Sequence, residues 1–178
     1  MRQLRKTFAS TDTEFLVFIY CTYIRPMVEY NSIIWNPHLL CDIDKVESVQ
    51  RKFTKSLNGM FNHSYIERLA LLNLESLEVR RIKADLIFLY KIINKLVEIQ
   101  QNDYFTFNTM QTRGHNFKIN VEYSRVNCRK YFFINRVVPI WNALHVNIVN
   151  SESLNIFKNA LNECDLDRYC RGRAYTAS

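Results

Sequence analysis

The scarcity of chain-breaking residues constrains this sequence most, because only 3 Gly and 3 Pro occur in 178 residues. Turn-rich β sandwiches and nucleotide-binding folds with glycine loops need more of these residues, so both are disfavoured. The content of hydrophobic residues, 48%, is enough to bury a sizeable core, and it excludes wholesale disorder. The sequence therefore predicts a mainly α fold of one or two compact domains.

Helical spacing and capping residues predict two helices in the first part of the chain. The first is expected over residues 12–35, with Asp12 as its N-cap and a kink at Pro26, which lacks a backbone N–H. The second is expected over residues 43–57, with Asp42 as its N-cap. Its core-facing residues recur at helical spacing and are Ile43, Val46, Val49, Phe53 and Leu57.

Two further helix starts are visible in the sequence. Ser64 and Glu67 have the spacing of a capping box, which opens a short helix that ends near Leu72. Ser76 is expected to cap a long helix over about residues 77–98. The apolar stripe of that long helix consists of Val79, Ile82, Leu86, Leu89, Tyr90, Ile93 and Val97.

The second half of the chain has weaker patterns. Gln, Asn and Thr are frequent between residues 98 and 113, which predicts a loop over 99–115. Apolar and polar residues then alternate, which predicts a short β strand or hairpin near residues 116–123. An aromatic-rich helix is expected over residues 130–144, with a break at Pro139.

The end of the chain completes the predicted organisation. Ser153 is expected to cap a last helix over about residues 154–164. The predicted regions are therefore a helical region over 1–98, the loop, a C-terminal helical region over 116–166 and a basic tail over 167–178. We expect the tail to fray.

The charge of the chain indicates a class of partner. Lys and Arg number 24 against 17 Asp and Glu, and this net charge of +7 favours a polyanion. Basic residues on two of the predicted helices lie opposite the apolar stripes and could follow the phosphates of a nucleic acid. The same pattern is typical of the solvated face of any soluble helix, so both interpretations stand. The candidate nucleic-acid contacts are Lys45, Arg51, Lys52, Lys55, Arg80, Arg81, Lys91 and Lys95.

Histidines and acidic pairs give no recognisable catalytic pattern. Asp42 with Asp44, and Asp165 with Asp167, are explained by their positions at predicted helix ends. No two histidines share a helical turn, and surface or capping roles are expected for all of them. They are His38, His63, His115 and His145.

Cysteine spacing bears on metals and on the compartment. None of the five cysteines belongs to a Cys-x-x-Cys pair, so neither a zinc site nor a disulfide framework is predicted. The most apolar run, residues 15–23, is shorter than the roughly 20 residues that span a bilayer. We therefore expect an intracellular protein, cytoplasmic or nuclear, with no cofactor and no metal of its own.

Several short motifs occur in a fixed order along the chain. They are YIRPMVEY (23–30), IWNP (34–37), DIDKVESVQRKFT (42–54), SYIERL (64–69), LESLEVRR (74–81), DLI (85–87), YKI (90–92), TRGH (112–115) and RKYFFINRVVPIWNAL (129–144). This ordered set, within about residues 4–161, closely resembles the C-terminal region of the reverse transcriptases of non-LTR retrotransposons, the jockey-like and CR1-like LINE elements. Ala84 and His145 stand where that family commonly has glycine and proline.

The resemblance implies a function. In that family this stretch follows the catalytic palm and forms the thumb and further C-terminal helices, which grip the RNA template–DNA primer duplex. Residues 1–98 would then be a thumb-like helical bundle that holds a duplex through phosphates without reading its sequence. The family's aromatic-x-Asp-Asp box has no counterpart here, since the chain contains no Asp-Asp dipeptide.

We therefore expect a fragment of an RNA-directed DNA polymerase that has no catalysis of its own. Its partners would be an RNA–DNA hybrid and the palm and fingers of the parent polymerase, which would use Mg²⁺. One alternative is an α-helical protein-interaction module with an apolar patch near Ile87 and Phe88. Another is an inert relic of a mobile element. Trp35 and Trp141 are expected to pack in the protein rather than to stack on bases.

Overall fold

A computed structural model of the chain describes residues 12–101, 104–108 and 115–172. It confirms the mainly α fold class. The helices are α1 (Thr13–Ile19), α2 (Arg25–Glu29), α3 (Ser32–Trp35), α4 (Leu40–Lys55), α5 (Tyr65–Leu71), α6 (Leu77–Ile93), α7 (Asn127–Lys130), α8 (Phe133–Asn142), α9 (Val146–Val149) and α10 (Leu154–Asn162).

The first predicted helix begins as expected but is not one continuous α-helix. Asp12 caps α1 by accepting a hydrogen bond from the backbone N–H of Glu14 at 3.1 Å, which confirms the predicted cap. A π-helical turn, Tyr20–Ile24, separates α1 from α2. The ring of Pro26 crowds the carbonyl four residues earlier, and the wider turn accommodates it. Asn31 then adopts a positive φ of 54° and ends the segment before α3.

Helix α4 begins earlier than predicted. Its N-cap is Leu39, whose side chain makes no capping bond, and Asp42 lies in the first turn. The predicted Asp42 cap is therefore wrong, although a carboxylate in the first turn still favours the helix dipole. The predicted apolar face is only partly buried, because Val46 and Val49 are half-buried. The buried residues of α4 are Ile43, Glu47, Gln50, Phe53 and Thr54.

The caps of α5 and α6 match the predictions. Ser64 and Glu67 form the complete capping box of α5. Ser76 accepts a hydrogen bond from the backbone N–H of Val79 at 3.2 Å at the start of α6. Helix α6 ends at Ile93 rather than near residue 98, because Lys95 adopts a φ of 54° in the left-handed cap position.

The C-terminal half contains short elements. Among the described residues, the expected strand near 116–123 is reduced to an antiparallel bridge between Phe107 and Ile119. The expected helix over 130–144 is interrupted between α7 and α8, whereas Pro139 lies inside α8 and does not break it. Ser153 caps α10 by accepting from the backbone N–H of Ile156 at 3.3 Å, as predicted.

The chain divides into two compact units. Unit 1 comprises the described residues of 1–32, 37–80 and 170–178, and unit 2 comprises those of 33–36 and 81–169. The division falls within α6, whereas the sequence analysis separated the two helical regions by a loop over 99–115. In the part of the chain described, no helix is both long enough and apolar enough to cross a membrane.

Each unit has an aromatic core. In unit 1, the rings of Tyr20 and Phe53 stack with centroids 4.2 Å apart. In unit 2, the rings of Tyr90 and Phe157 stack at 4.3 Å, and the buried indole of Trp141 lies 5.9 Å from Phe157. Both cores are therefore built from helical residues that are far apart in sequence.

Two residues of the predicted tail, Arg171 and Gly172, are hydrogen-bonded within unit 1. The backbone N–H groups of Arg171 and Gly172 donate to the Glu78 carboxylate at 2.7 and 2.9 Å. A Cβ at position 172 would lie 2.7 Å from Glu78 Oε2 and 3.0 Å from a methyl group of Ile43, which favours glycine there. The prediction of fraying is wrong for these two residues, and residues 173–178 lie outside the described part of the chain.

Candidate nucleic-acid interface

Helix α4 presents three lysines on one exposed face. Lys45, Lys52 and Lys55 are all exposed, and their spacing of seven and three residues places them on the same side of the helix. With a rise of about 1.5 Å per residue, the first and last are roughly 15 Å apart along the axis. We call these three residues the lysine stripe.

The three lysines differ in their surroundings. The ammonium of Lys45 lies 2.9 Å from the Asp42 carboxylate, which raises the pKa of Lys45 and lowers that of Asp42. The ammonium of Lys55 lies 4.7 Å from the ring centroid of Phe61, a cation–π distance. Since Lys45 already has an anionic partner, Lys52 and Lys55 are the members of the stripe best placed to meet a phosphate.

Arg51 lies beside the stripe rather than in it. The side chain is half-buried, with one guanidinium nitrogen 3.7 Å from the Asp44 carboxylate. The guanidinium carbon also lies 5.3 Å from the ring centroid of Tyr65. An incoming phosphate would have to displace Asp44, so Arg51 is a weaker candidate for a phosphate contact than Lys52 and Lys55.

The opposite side of α4 is fixed by buried polar groups. The Tyr65 hydroxyl donates to the Glu47 carboxylate at 2.5 Å, and the backbone N–H of Leu77 donates to the same oxygen at 3.1 Å. Gln50, which is fully buried, accepts from the Tyr20 hydroxyl at 3.0 Å. We call Glu47, Gln50, Tyr65 and Tyr20 the polar network.

The polar network positions the lysine stripe. Gln50 Nε2 also donates to the Tyr65 hydroxyl at 3.1 Å and to the carbonyl of Glu75 at 2.8 Å. Burial, together with the Glu47 carboxylate, raises the pKa of the Tyr65 hydroxyl, so the hydroxyl remains a donor. These bonds tie α4 to α5 and to the segment before α6, and they fix the rotation of α4.

Sequence reasoning missed the polar network because it treated only apolar residues as core-facing. Glu47, Gln50 and Thr54 recur at spacings of three and four, which is the period of a helix face. That spacing was the available signal, but it fits a buried polar face as well as a polar face exposed to solvent. Only the partners, contributed by residues up to 30 positions away, identify the face as buried.

The basic face predicted on α6 is not formed as expected. Arg80 is half-buried, and its guanidinium donates two hydrogen bonds to the Glu29 carboxylate, while a third nitrogen lies 3.9 Å from Glu75. The hydrogen bond to Glu29 is the main cause that raises the pKa of Arg80. Two acidic partners already balance this cation, which makes it a poor phosphate contact.

The sequence predicted Arg81 on the exposed basic side of α6, and the structure buries it. It is only 2% exposed, and its Nε donates to Asn36 Oδ1 at 3.1 Å inside unit 2. Lys91 is half-buried, and Lys95 lies beyond the end of α6, although it is exposed. The apolar stripe alone suggested that the side of α6 opposite the stripe is exposed to solvent. Most residues of this helix are buried instead.

The tryptophans and the apolar patch have mixed outcomes. Trp141 is fully buried and its indole N–H donates to the carbonyl of Phe117 at 2.9 Å, which confirms packing, whereas Trp35 is 40% exposed. The predicted patch is not an open surface, because Ile87 and Phe88 are half-buried. The Phe88 ring meets that of Phe133 edge-on at 5.4 Å within unit 2.

The histidines divide between the surface and the interior. His145 caps α9 and His63 is exposed, as predicted. His115 is buried, contrary to prediction, and its Nε2–H donates to the carbonyl of Trp141 at 3.1 Å. Burial lowers the pKa of His115. Among the described residues, no group of three or more His, Cys, Asp and Glu side chains is arranged to hold a metal ion.

Comparison of the chain with protein-family models, with curated proteins and with solved structures finds no match. The likeness to reverse transcriptases therefore rests on the ordered sequence motifs alone. The fold class and the placement of the candidate residues come from the structure.

Proposed function

We propose that the chain is the thumb and C-terminal part of a non-LTR retrotransposon reverse transcriptase, and that it binds an RNA template–DNA primer duplex without catalysing a reaction itself. The lysine stripe would contact the phosphates. Polymerisation and its Mg²⁺ ions would belong to the palm of the parent protein. The ordered motifs support the family, and the exposed stripe on α4 supports the binding role.

The observation that supports the binding role is the exposure of Lys52 and Lys55 on α4, a helix whose rotation is fixed by the polar network. A duplex of B form has one charge per about 1.7 Å of its axis, so a stripe roughly 15 Å long spans several phosphates. Side chains that contact phosphates set position and orientation and do not read sequence. A duplex-holding thumb needs contacts of this kind.

The net charge of a unit does not explain why a polyanion would bind at α4, whereas the lysine stripe does. By sequence, unit 1 contains twelve Lys and Arg against nine Asp and Glu, a net charge of +3, and unit 2 contains twelve against eight, a net charge of +4. Because the two net charges are nearly equal, a preference of a polyanion for α4 must come from a local arrangement of cations. Three lysines aligned on one helix supply such an arrangement.

The test compares two double charge reversals in the full chain. Binding of a fluorescein-labelled 16-base-pair RNA–DNA hybrid is followed by anisotropy from low to physiological salt. The Lys52→Glu/Lys55→Glu variant should bind at least tenfold more weakly, and its slope of log K against log salt should be shallower by about 1.8, at about 0.9 per phosphate contact. The matched control, Lys158→Glu/Arg168→Glu, makes the same charge change at exposed positions of unit 2.

The control decides how the result is interpreted. Normal binding by the control, with weakened binding by the stripe variant, supports the proposal. Equal losses in both variants would show that net charge alone drives binding. Failure of the unmodified chain to bind the hybrid at low salt would also contradict the proposed function.

A second candidate, a helical protein-interaction module, is favoured by one observation in unit 1. Four large side chains of the α1–α2 segment are highly exposed and uncharged: Phe18, Tyr23, Met27 and Tyr30 are 62–79% exposed. An apolar protein surface would cover them. In the parent polymerase the palm or fingers would supply that surface. Binding to such a partner would withstand high salt, whereas binding to the hybrid would not.

A further inference from the structure

A cleft in unit 2 combines aromatic and basic side chains outside the lysine stripe. The cleft has a volume of about 420 Å³, which is within the usual range for ligand sites. The rings of Tyr104 and Phe132, the guanidinium of Arg129 and the amide of Asn135 contribute to its lining. Its remaining lining residues are Glu122, Cys128 and Ile134.

Aromatic exposure around the cleft is unusual for a packed surface. Phe132 is 56% exposed and Tyr104 is 46% exposed. Tyr123, next in the chain to the lining residue Glu122, is 87% exposed. Rings with free faces are what unpaired bases stack on, at about 1–3 kcal/mol per base, or fivefold to a hundredfold in affinity.

Positive charge accompanies these rings. Arg125, Arg129 and Lys130 are all exposed within six residues of the chain. Glu122 lies 2.7 Å from Arg129 and is the only acidic residue between positions 104 and 151. Unit 2 has a net charge of +4 by sequence, close to the +3 of unit 1, so the local grouping of these three cations distinguishes the cleft rather than the charge of the unit.

The wall of the cleft is held in place by helix-end contacts. Asn135 Nδ2 donates to Ser124 Oγ at 2.7 Å and to the carbonyl of Arg129 at 2.8 Å. These two bonds join the segment before α7, the end of α7 and the first turn of α8. Phe132, the N-cap residue of α8, is therefore presented from a fixed turn.

From this arrangement we propose that the cleft and its rim bind single-stranded nucleic acid, with one base stacked on Phe132 in the cleft and another on Tyr123, next in the chain to the lining residue Glu122. Phosphates would lie against Arg125 and Lys130, which belong to the same segment of the chain but are outside the lining. Inside a duplex, the neighbouring base pairs cover the faces of each base, so the bases cannot stack on protein rings. The exposed aromatic rings therefore favour an unpaired strand.

The lysine stripe differs from the cleft, because it consists of three cations on one helix face and the exposed Phe61 ring beside it already lies 4.7 Å from the Lys55 ammonium. The cleft is thus a second nucleic-acid site, and its function does not depend on the duplex-binding role of α4.

The first test uses two cysteines as reporters in the unmodified chain. Cys128 lines the cleft, and Cys41 lies on α4 one turn before the lysine stripe; both are exposed. Alkylation by iodoacetamide is measured at each cysteine by peptide mass spectrometry, with a 12-nucleotide single-stranded RNA or with the 16-base-pair hybrid. The single strand should slow alkylation of Cys128 severalfold and leave Cys41 unchanged.

The second test uses binding by variants of the full chain. Tyr123→Ala/Phe132→Ala should weaken binding of the 12-nucleotide RNA at least tenfold, with an unchanged salt slope, because stacking releases no counterions. Arg125→Gln/Lys130→Gln should make that slope shallower by about 1.4, at about 0.7 per phosphate on a single strand. The matched aromatic control, Phe18→Ala/Tyr23→Ala, removes two exposed rings of unit 1 and should bind the RNA normally.

The outcomes separate this inference from the proposed function. Both sites are supported if hybrid binding is lost only in the lysine variant and single-strand binding is lost only in the cleft variants. Equal protection of Cys41 and Cys128 by the single strand, or an unchanged affinity for it in Tyr123→Ala/Phe132→Ala, overturns the cleft. Failure of the chain to bind the hybrid leaves the cleft result intact and contradicts only the duplex role.

Discussion

The two units differ in how they hold charged groups in their interiors. In unit 1, the buried Glu47 is bonded by a tyrosine hydroxyl and a backbone N–H, and the buried Arg68 donates to Thr54 Oγ1 at 3.1 Å. In unit 2, the buried Asp85 forms an ion pair with Arg136 through hydrogen bonds of 2.8 and 2.9 Å. Glu47 and Arg68 of the first unit are thus satisfied by neutral dipoles, whereas Asp85 of the second is paired with an opposite charge.

This difference shows that counting cations does not locate an interface. Each unit contains twelve Lys and Arg by sequence, yet Arg81, Lys83 and Arg136 serve the interior of unit 2 or lie close to it. The Lys83 ammonium donates to Asn162 Oδ1 at 2.9 Å, and Arg136 donates to Asp85. Exposure and existing partners decide which cations remain for a nucleic acid.

The largest effect is expected from breaking the ion pair of unit 2. Burial raises the pKa of the Asp85 carboxyl, and hydrogen bonds from Arg136 and Asn36 oppose that rise. Asp85→Ala leaves the Arg136 guanidinium without its anion, so the free energy of unfolding should fall by about 3–5 kcal/mol. Urea unfolding followed by circular dichroism measures this change.

The matched control for that prediction is the exposed pair Arg129–Glu122, whose side chains are 64% and 55% exposed. Glu122→Ala should cost less than about 1 kcal/mol, since solvent screens an exposed pair. Similar losses in the two variants would contradict the contrast between a buried and an exposed ion pair.

An intermediate effect is expected in the polar network of unit 1. Tyr65→Phe removes a donor to Glu47 and an acceptor for Gln50, so the free energy of unfolding should fall by about 1–3 kcal/mol. Thermal and urea unfolding measure the loss, and Tyr23→Phe, at a tyrosine that is 63% exposed, is the control. A loss no greater than in the control would show that the network contributes little to the stability of unit 1.

The smallest effect concerns pH and the buried His115 of unit 2. Burial lowers its pKa below the usual 6.5, so the folded imidazole stays neutral while the unfolded one takes up a proton. The stability that neutral His115 contributes is present above pH 6.5 and is lost as pH falls from there towards the lowered folded pKa, by at most about 1.4 kcal/mol per unit.

Urea unfolding at pH 7.5 and pH 5.5 measures that dependence. His115→Gln removes the titrating ring and should reduce the loss of stability at the lower pH. His63→Gln, at an exposed histidine, should retain the full loss of the unmodified chain. An identical pH dependence in all three proteins would rule out His115 as a source of it.

The candidate nucleic-acid residues were predictable where the helix is exposed on one side. Lys45, Lys52 and Lys55 are on the expected face because α4 buries one side and leaves the other to solvent. The same reasoning failed for Arg81, because α6 is buried on several sides and the sequence shows only its apolar stripe. The cleft was not predicted either, since Tyr104 and the 122–135 segment meet only in the folded chain.

The sequence by itself determined the local signals of this protein. Asp12, Ser76 and Ser153 cap their helices as predicted, and Ser64 with Glu67 forms the expected box. A capping side chain reaches a backbone N–H two or three residues away, so the neighbouring sequence identifies the candidates for a cap. Asp42, which lies in the first turn of α4 instead of capping it, is the exception.

Tertiary structure alone decided which polar side chains are buried and which partners they have. The partners of Gln50 lie 15–30 residues away, and those of Asp85 are about 50 residues away. Burial withdraws water from such polar groups, so their location depends on which distant donors and acceptors the fold brings to them. For that reason the sequence could identify the helices, whereas only the packed structure could show which of their charges face solvent.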